Sequence, residues 1–255
     1  MSSKVPAAAS TLRILTFLAS RTRPVPASRI ASELGIPRSS TYDILAELLD
    51  QGFVLHYADL HAYGLGPSAY ELSFGYSRQA PVARLGKRVA DMVRARVGES
   101  VHVAVLQGRH VLYVVQAPVG RALSPATDAG VRLPAHLTAS GRAILGALPP
   151  QQLGVVFTGE HELESTVHTD ADEQSQVFPV ARALADARET RERGFALEDG
   201  SVTRGLRSVA LPVFDGARWP IASIAVTWHA TDGARDQDML AALRDGVKAL
   251  QTALS

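Results

Sequence analysis

Apolar residues near the start of the chain recur at helical spacing in two short runs around a turn, then switch to strand-like alternation. Ile30 and Leu34 lie four apart in ASRIASEL, after which Gly35 lets the chain reverse without a Cβ clash. Pro37 cannot extend that helix, but it suits the start of another, where its missing N–H would be unpaired anyway. Ser39 or Ser40 is placed to cap this second helix. In it Ile44, Leu45, Leu48 and Leu49 share one face, while Arg38, Ser39, Ser40, Tyr42, Asp43 and Glu47 turn away. Gly52 ends the helix, Phe53 to Leu55 begin a strand, Ala58 to His61 make a polar turn, and Tyr63 to Leu65 return. Two helices about a tight turn followed by a hairpin is the plan of a winged helix-turn-helix, so residues 1–66 are expected to read DNA. A chance pattern in an all-α core is the competing reading, and the hairpin argues against it. Upstream, Ala7 to Ser10 lead into a first helix whose apolar face is Leu12, Leu15, Phe17 and Leu18.

Beyond the wing, Pro67 to Arg78 reads as one helix and Pro81 opens a second, with Val82, Leu85, Val89 and Met92 at three- and four-residue spacing. Residues 67–97 are therefore expected to be a linker. The apolar stripe suits a dimer seam or packing on its own domain, and periodicity does not choose between them. From Val101 the pattern becomes β-type, with VHVAVLQ and HVLYVVQ flanking the hairpin signal Gly108-Arg109. A helix is expected from Ser140 to Leu148, stopped by Pro149-Pro150, and another from Val177 to Arg193, closed by Gly194. Strands follow near Phe195–Glu198, Leu206–Val213 and Ile221–Thr227, and a last helix over Arg235–Leu254. This order predicts an α+β domain over residues 98–255 with an antiparallel sheet.

At 255 residues the chain is long enough for two modest domains, each with a core. A net charge of +1 excludes a polycation that binds nucleic acid indiscriminately. Between Arg21 and Tyr42, however, four arginines face a single Glu33, a local positive patch on the side that would meet phosphates. With no cysteine, a disulfide framework, a zinc ribbon and a thiol nucleophile are excluded, and a cytoplasmic location is expected. No apolar run approaches the ~20 residues that span a bilayer, and Arg13 interrupts the segment that would imitate a signal peptide, so no membrane partner is expected.

The segments LRILTFLA, IASELGIPRSSTYDILAEL followed by GFV, YGLGP, LPAHLTASGRAIL and EDGSVTRGLRSVALPVFD, in this order, resemble the IclR family of bacterial transcriptional regulators. The likeness spans nearly the whole chain from about Ala8. It implies an N-terminal winged helix-turn-helix, a dimerising linker helix and a C-terminal GAF-like effector-binding domain. It also implies homodimers that commonly pair into tetramers on double-stranded operator DNA, with repression the commoner outcome. If the helix from Arg38 to Gln51 enters the major groove, Ser39, Ser40 and Tyr42 reach base edges or phosphates first. Arg29 and Arg38 suit phosphates, and His61 or Tyr63 in the wing touches the backbone or minor groove. Thr41 falls where relatives usually have an apolar residue, so its methyl is expected to pack. Asp43 stands where relatives often carry Arg, and it either accepts from a cytosine amino group or pairs with a local arginine.

By the same resemblance Leu133 and Ala139-Ser140-Gly141 line an effector pocket whose other wall is Glu198, Leu206, Ser208, Ala225 and Thr227. A helix starting at Ala139 to Gly141 would welcome a carboxylate at its N-terminus. Ser208 and Thr227 could orient a polar group, with apolar contact from Leu133 and Leu206. Ser208 replaces a cysteine common at that position, and Thr203 an acidic residue, so ligand identity does not transfer. A small organic acid, carboxylic or aromatic, is the expected class.

An enzyme is the competing class. The chain has no G-x-S-x-G elbow, Walker loop, G-x-G-x-x-G or H-E-x-x-H, so no catalytic residue and no cofactor are expected. Glu160, His161, Glu162, Glu164 and His168 are metal-capable but read as a solvated charged face. His102, His110 and His136 are scattered singly around strands and read as structural. A third reading keeps the DNA-binding head and gives the C-terminal domain assembly alone.

Overall fold

The computed structural model of the chain describes residues 4–72, 81–120, 128–163, 178–232 and 235–255. They fall into two compact units, Met1–Gln79 and Ala80–Ser255.

In the first unit α1 (Pro6–Ala19), α2 (Ala27–Leu34) and α3 (Arg38–Asp50) each begin at or directly after a proline. Gly35 between α2 and α3 sits at φ 61°, where an L side chain would be strained, and the chain turns there. Ile14, Phe17, Leu18, Ile30, Ile36, Leu45, Leu48 and Val54 make one buried cluster joining the helices to β1 (Val54–Tyr57). β1 pairs antiparallel with β2 (Ala62–Leu65), and Tyr63 exchanges two 2.8 Å backbone hydrogen bonds with Val25, which ties the wing to the segment before α2.

Some expectations change here. Leu12 points outward at 65% exposure, and Ile14 takes the core position with Phe17 and Leu18. Leu12 lies about 200° around the helix from Ile14, so both cannot share a face. Ser39 and Ser40 do not cap α3, because Pro37 holds the cap position and the helix has already begun at Arg38. Thr41 is fully buried, and its hydroxyl donates back to the Pro37 carbonyl at 3.1 Å. A helix begins at Pro67 and is described through Leu72; the rest of the expected 67–78 helix lies outside the described residues.

In the second unit α4 (Pro81–Val97) precedes β3 (Ser100–Gln107) and β4 (His110–Ala117), which turn at Gly108-Arg109. Then come β5 (Arg132–Pro134), α5 (Ala139–Ala147), α6 (Pro150–Val156), and the short pair β6 (Glu162–Leu163) and β7 (Phe178–Pro179). The unit ends with α7 (Val180–Arg193), β8 (Ala196–Asp199), β9 (Leu206–Phe214), β10 (Pro220–His229) and α8 (Asp236–Leu254). Six strands form one antiparallel sheet in the order β5-β4-β3-β10-β9-β8.

Strand alternation sorts the two faces. Val101, Val103, Val209, Leu211, Ile224, Val226 and Trp228 are buried against Val89 and Val93 of α4 and Met239, Leu240 and Leu243 of α8. The α4 stripe therefore packs on its own domain, with Met92 left 47% exposed, and the second unit begins before this helix. On the opposite face Ala196, Ala210 and Ala225 lie side by side across β8, β9 and β10, and they pack with Ala139 and Ala143 of α5. Side chains this small let the helix approach the sheet closely.

α5 begins at Ala139 because Thr138 caps it, its hydroxyl oxygen accepting from the Gly141 N–H at 2.9 Å. Arg142 donates to the carbonyls of His136 (2.8 Å) and Leu197 (3.0 Å), stapling α5 to β8. Arg191 of α7 donates to the Gly146 carbonyl at 2.9 Å and to that of Leu148, placing a cation at the negative end of α5. Pro149-Pro150 does end α5, but Pro150 also opens α6, a helix that periodicity alone did not reveal.

A Cβ added at Gly141 would lie 2.1 Å from the Ala135 carbonyl oxygen and 2.4 Å from its Cα, backbone atoms that cannot swing aside. Gly141→Ala is expected to destabilise the second unit by about 3 kcal/mol or more in urea unfolding. Gly154→Ala, with no atom within 4 Å of the added carbon, is the neutral control.

Candidate functional site

The outward face of α3 is the first candidate. Arg38, Ser39 and Asp43 are exposed, Tyr42 is 53% exposed, and Ser40 is half-buried at the edge of the same face. Arg38 makes no ion pair among the described residues. Arg29 does: its Nε donates to Glu33 at 2.6 Å, and Arg21 meets the same carboxylate at 2.6 Å. The Arg29 hydrogen bond holds the Glu33 carboxyl below its usual range. Arg29 is thus a partnered side chain rather than the open phosphate contact expected of it. Asp43 joins no ion pair among the described residues, so the local arginine partner is absent and its carboxylate faces outward. His61 is exposed at the tip of the wing with φ 45°. Tyr63 is half-buried, its ring 4.7 Å from that of His56, and it serves the hairpin as much as the surface.

The second candidate is a cavity between the N-terminus of α5 and the sheet. Cross-strand pairing puts Glu198, Ser208, Thr227 and Ser100 in one row across β8, β9, β10 and β3. Two residues along, the next row runs Ala196, Ala210, Ala225 and His102 on the same face. α5 lies down on the alanines, and space remains over the polar row. Tyr113 of β4 closes one side with its ring 5.8 Å from His102, edge to face, and Val202, Thr203 and Leu206 close the other. The cavity has a volume of ≈ 20 Å³, on the scale of a single water molecule.

Of the expected pocket residues, Ala139, Ser140, Glu198, Leu206, Ser208, Ala225 and Thr227 line this cavity. Leu133 and Gly141 do not. Leu133 packs into a separate core with Val111, Tyr113 and Ile144, and Gly141 is pressed against Ala135. Ser100, His102, Tyr113, Thr138, Val202 and Thr203 were missed as lining. His102 read as one of several lone structural histidines. Only the register of β3 against β10, which places it opposite Ala225, brings it to the cavity. Glu164 and His168 lie outside the described residues, while Glu160 pairs with Arg109. No group of three or more His, Cys, Asp or Glu among the described residues could hold a metal.

The lining contains one carboxyl, one imidazole, one phenol and several hydroxyls, with no Lys or Arg. Burial pushes the His102 imidazole down from 6.5 to about 4, so it is neutral at pH 7. Burial also pushes the Tyr113 phenol up to about 12, against the pull of the Ser140 hydroxyl. Glu198 is raised by burial, opposed by backbone N–H groups of Val202 and Ser201 and by Arg142. The Ser208 and Thr227 hydroxyls bond to each other at 2.9 Å. Among the described residues nothing accepts from the N–H of Ala139 or Ser140, so the α5 N-terminus keeps donors for an acceptor in the cavity.

A winged helix-turn-helix with an open recognition face and an α+β unit with an internal polar cavity, in one chain, define a DNA-binding transcriptional regulator. The family model described as bacterial transcriptional regulator IclR C-terminal matches residues 74–252, and the IclR helix-turn-helix domain matches residues 7–56. The chain belongs to the IclR family. The transcriptional repressor IclR of Escherichia coli K12 is 26% identical over 218 residues, 85% of this chain and 77% of that protein. An IclR transcriptional regulator from Alicyclobacillus acidocaldarius superposes with TM-score 0.82 at 22% identity, covering 99% of this chain and 100% of that one. An IclR homologue from Microbacterium hydrocarbonoxydans, solved in complex with 4-hydroxybenzoate, superposes with TM-score 0.78 at 19% identity, covering 97% and 98%. No helix among the described residues is long and apolar enough to cross a membrane.

Because His102 resists protonation in the fold, the unfolded chain binds more protons than the native one between pH 6.5 and about 4. Its contribution to stability is complete above pH 6.5 and is lost as pH falls through that window, by on the order of 3 kcal/mol. Glu198, raised by burial, acts in the opposite sense, so the difference between variants carries the test. Urea unfolding across this range should show a shallower acid loss in His102→Gln than in the parent chain.

Proposed function

We propose that the chain binds operator DNA as a homodimer, or a dimer of dimers, in the cytoplasm, and that a small organic acid in the α5 cavity changes its operator affinity. Repression is the sense in which it acts. The cavity carries this reading: enclosed, part apolar, with unpaired N–H donors at a helix start and hydroxyls across the sheet. A carboxylate would accept from the Ala139 and Ser140 N–H groups, and Leu206 and Ala225 would meet an apolar or aromatic body. The 4-hydroxybenzoate in the Microbacterium homologue supports an aromatic acid as the first compound to try.

At the DNA, Arg38 makes a phosphate contact, Ser39 and Tyr42 reach base edges, and Asp43, free of a local cation, accepts from a cytosine amino group. Selection of bound sites from random duplex DNA, with and without a metabolite mixture, tests the whole reading. A folded chain that enriches no sequence refutes it.

On the selected duplex, Arg38→Ala should weaken binding alike for preferred and altered sequences and flatten the dependence on salt. Tyr42→Ala and Asp43→Ala should change the base preference, by about 1–3 kcal/mol at the affected position. Arg29→Ala should lose less than Arg38→Ala, because Arg29 is engaged by Glu33. Fluorescence anisotropy against a panel of single-base variants reads all four.

A further inference from the structure

The cavity is too small for the ligand it is built to hold. Sites for small molecules enclose about 300–1,000 Å³, against ≈ 20 Å³ here, so part of the wall must move before an organic acid is admitted. The floor is a six-stranded sheet with paired registers, and one side is α5, fastened by the Thr138 cap, the two Arg142 hydrogen bonds and close alanine packing. The remaining wall is the segment between β8 and β9, which supplies Val202 and Thr203.

That segment is anchored at its ends. Gly200 N–H donates to the Leu206 carbonyl at 2.9 Å, and the Gly205 carbonyl accepts from Ala230 N–H at 2.9 Å. Gly200 and Gly205 lie at φ 72° and 80°, so both ends of the segment sit in a region that glycine occupies without strain. Its middle is held from inside the cavity, where Glu198 Oε1 accepts from the Val202 N–H at 3.0 Å. Glu198 is 4% exposed and anchored in β8 opposite Ser208, so the carboxylate is a fixed post to which the segment is tied.

We propose that residues 200–205 form the gate of the cavity and that the Glu198 carboxylate is its latch, so that a ligand is admitted when the Val202 N–H leaves Glu198. This rests on the reading of the cavity as an effector site, but the latch can be measured without any ligand. Removing the carboxylate should free the middle of the segment while its ends stay anchored. Glutamine, which keeps a carbonyl oxygen at the same reach, should restore part of the hold.

The test uses the full chain. Hydrogen exchange at the Val202 amide is expected to be at least about 10-fold faster in Glu198→Ala than in the parent, with an intermediate rate in Glu198→Gln and no change at Val209 in the adjoining strand. Because the chain has no cysteine, Ser208→Cys gives a single thiol on the cavity floor. A small methanethiosulfonate should label it faster when Glu198→Ala is added. Unchanged exchange at Val202 together with unchanged labelling overturns the latch, and so does acceleration that appears equally at Val209, which would mean general loosening. Operator binding that ignores 4-hydroxybenzoate and every other acid tried would refute the effector reading instead, leaving these two rates to decide the gate.

Discussion

Ser208 and Thr227 stand opposite each other on β9 and β10 with hydroxyls 2.9 Å apart, and the register that pairs them decides which side chains reach the cavity. Sliding one strand by a single residue would turn Val209 or Val226 toward α5 and send a hydroxyl under α4 and α8. The other face resists such a slip. Val209, Leu211, Ile224, Val226 and Trp228 are sealed there with Val93, Met239 and Leu243, at about 0.8 kcal/mol for each buried methylene. The sensing surface is thus positioned by a core that it does not touch.

A cavity placed this deep has to hold polar groups without water. Glu198 and His102 respond alike, burial moving each toward its neutral form, and neither has a cation beside it in the lining. The nearest guanidinium, Arg142, is occupied by the His136 and Leu197 carbonyls and is itself disfavoured as a cation by burial. Recognition therefore falls to hydrogen bonds from N–H and O–H groups of fixed direction. Such donors discriminate by leaving a buried partner unpaired when the wrong compound binds.

Much of this was legible in the chain because it is local. Gly35, Pro37 and the face of Ile44, Leu45 and Leu48 announce the helix-turn-helix within a short stretch, and Gly108-Arg109 marks its hairpin without distant help. The serine caps failed for a local reason too, since Pro37 already occupies the cap that Ser39 or Ser40 would have filled. His102, Tyr113 and Ser100 were out of reach in a different way. Their role depends on pairing β3 with β10, more than 100 positions away, and no periodicity reports which strands become neighbours. Leu133 shows the reverse error, since family likeness marked the segment but the side chain turns into the core beside Val111.

The closed form also bears on how a ligand could influence DNA binding. A bound compound shifts operator affinity only by its difference in affinity for two arrangements of the protein, typically about 1–3 kcal/mol. A cavity that accommodates about one water molecule guarantees such a difference, because the arrangement that holds an acid cannot be the one described here. The hold that must be released is of matching scale: the hydrogen bond between Val202 and Glu198 contributes roughly 1 kcal/mol, somewhat more if the carboxylate is charged. An ion pair buried at the same place would cost several kcal/mol to break, and it would keep the cavity shut against a ligand of ordinary affinity. A carboxylate facing backbone N–H groups gives a closure firm enough to define the empty state and weak enough for a small molecule to undo.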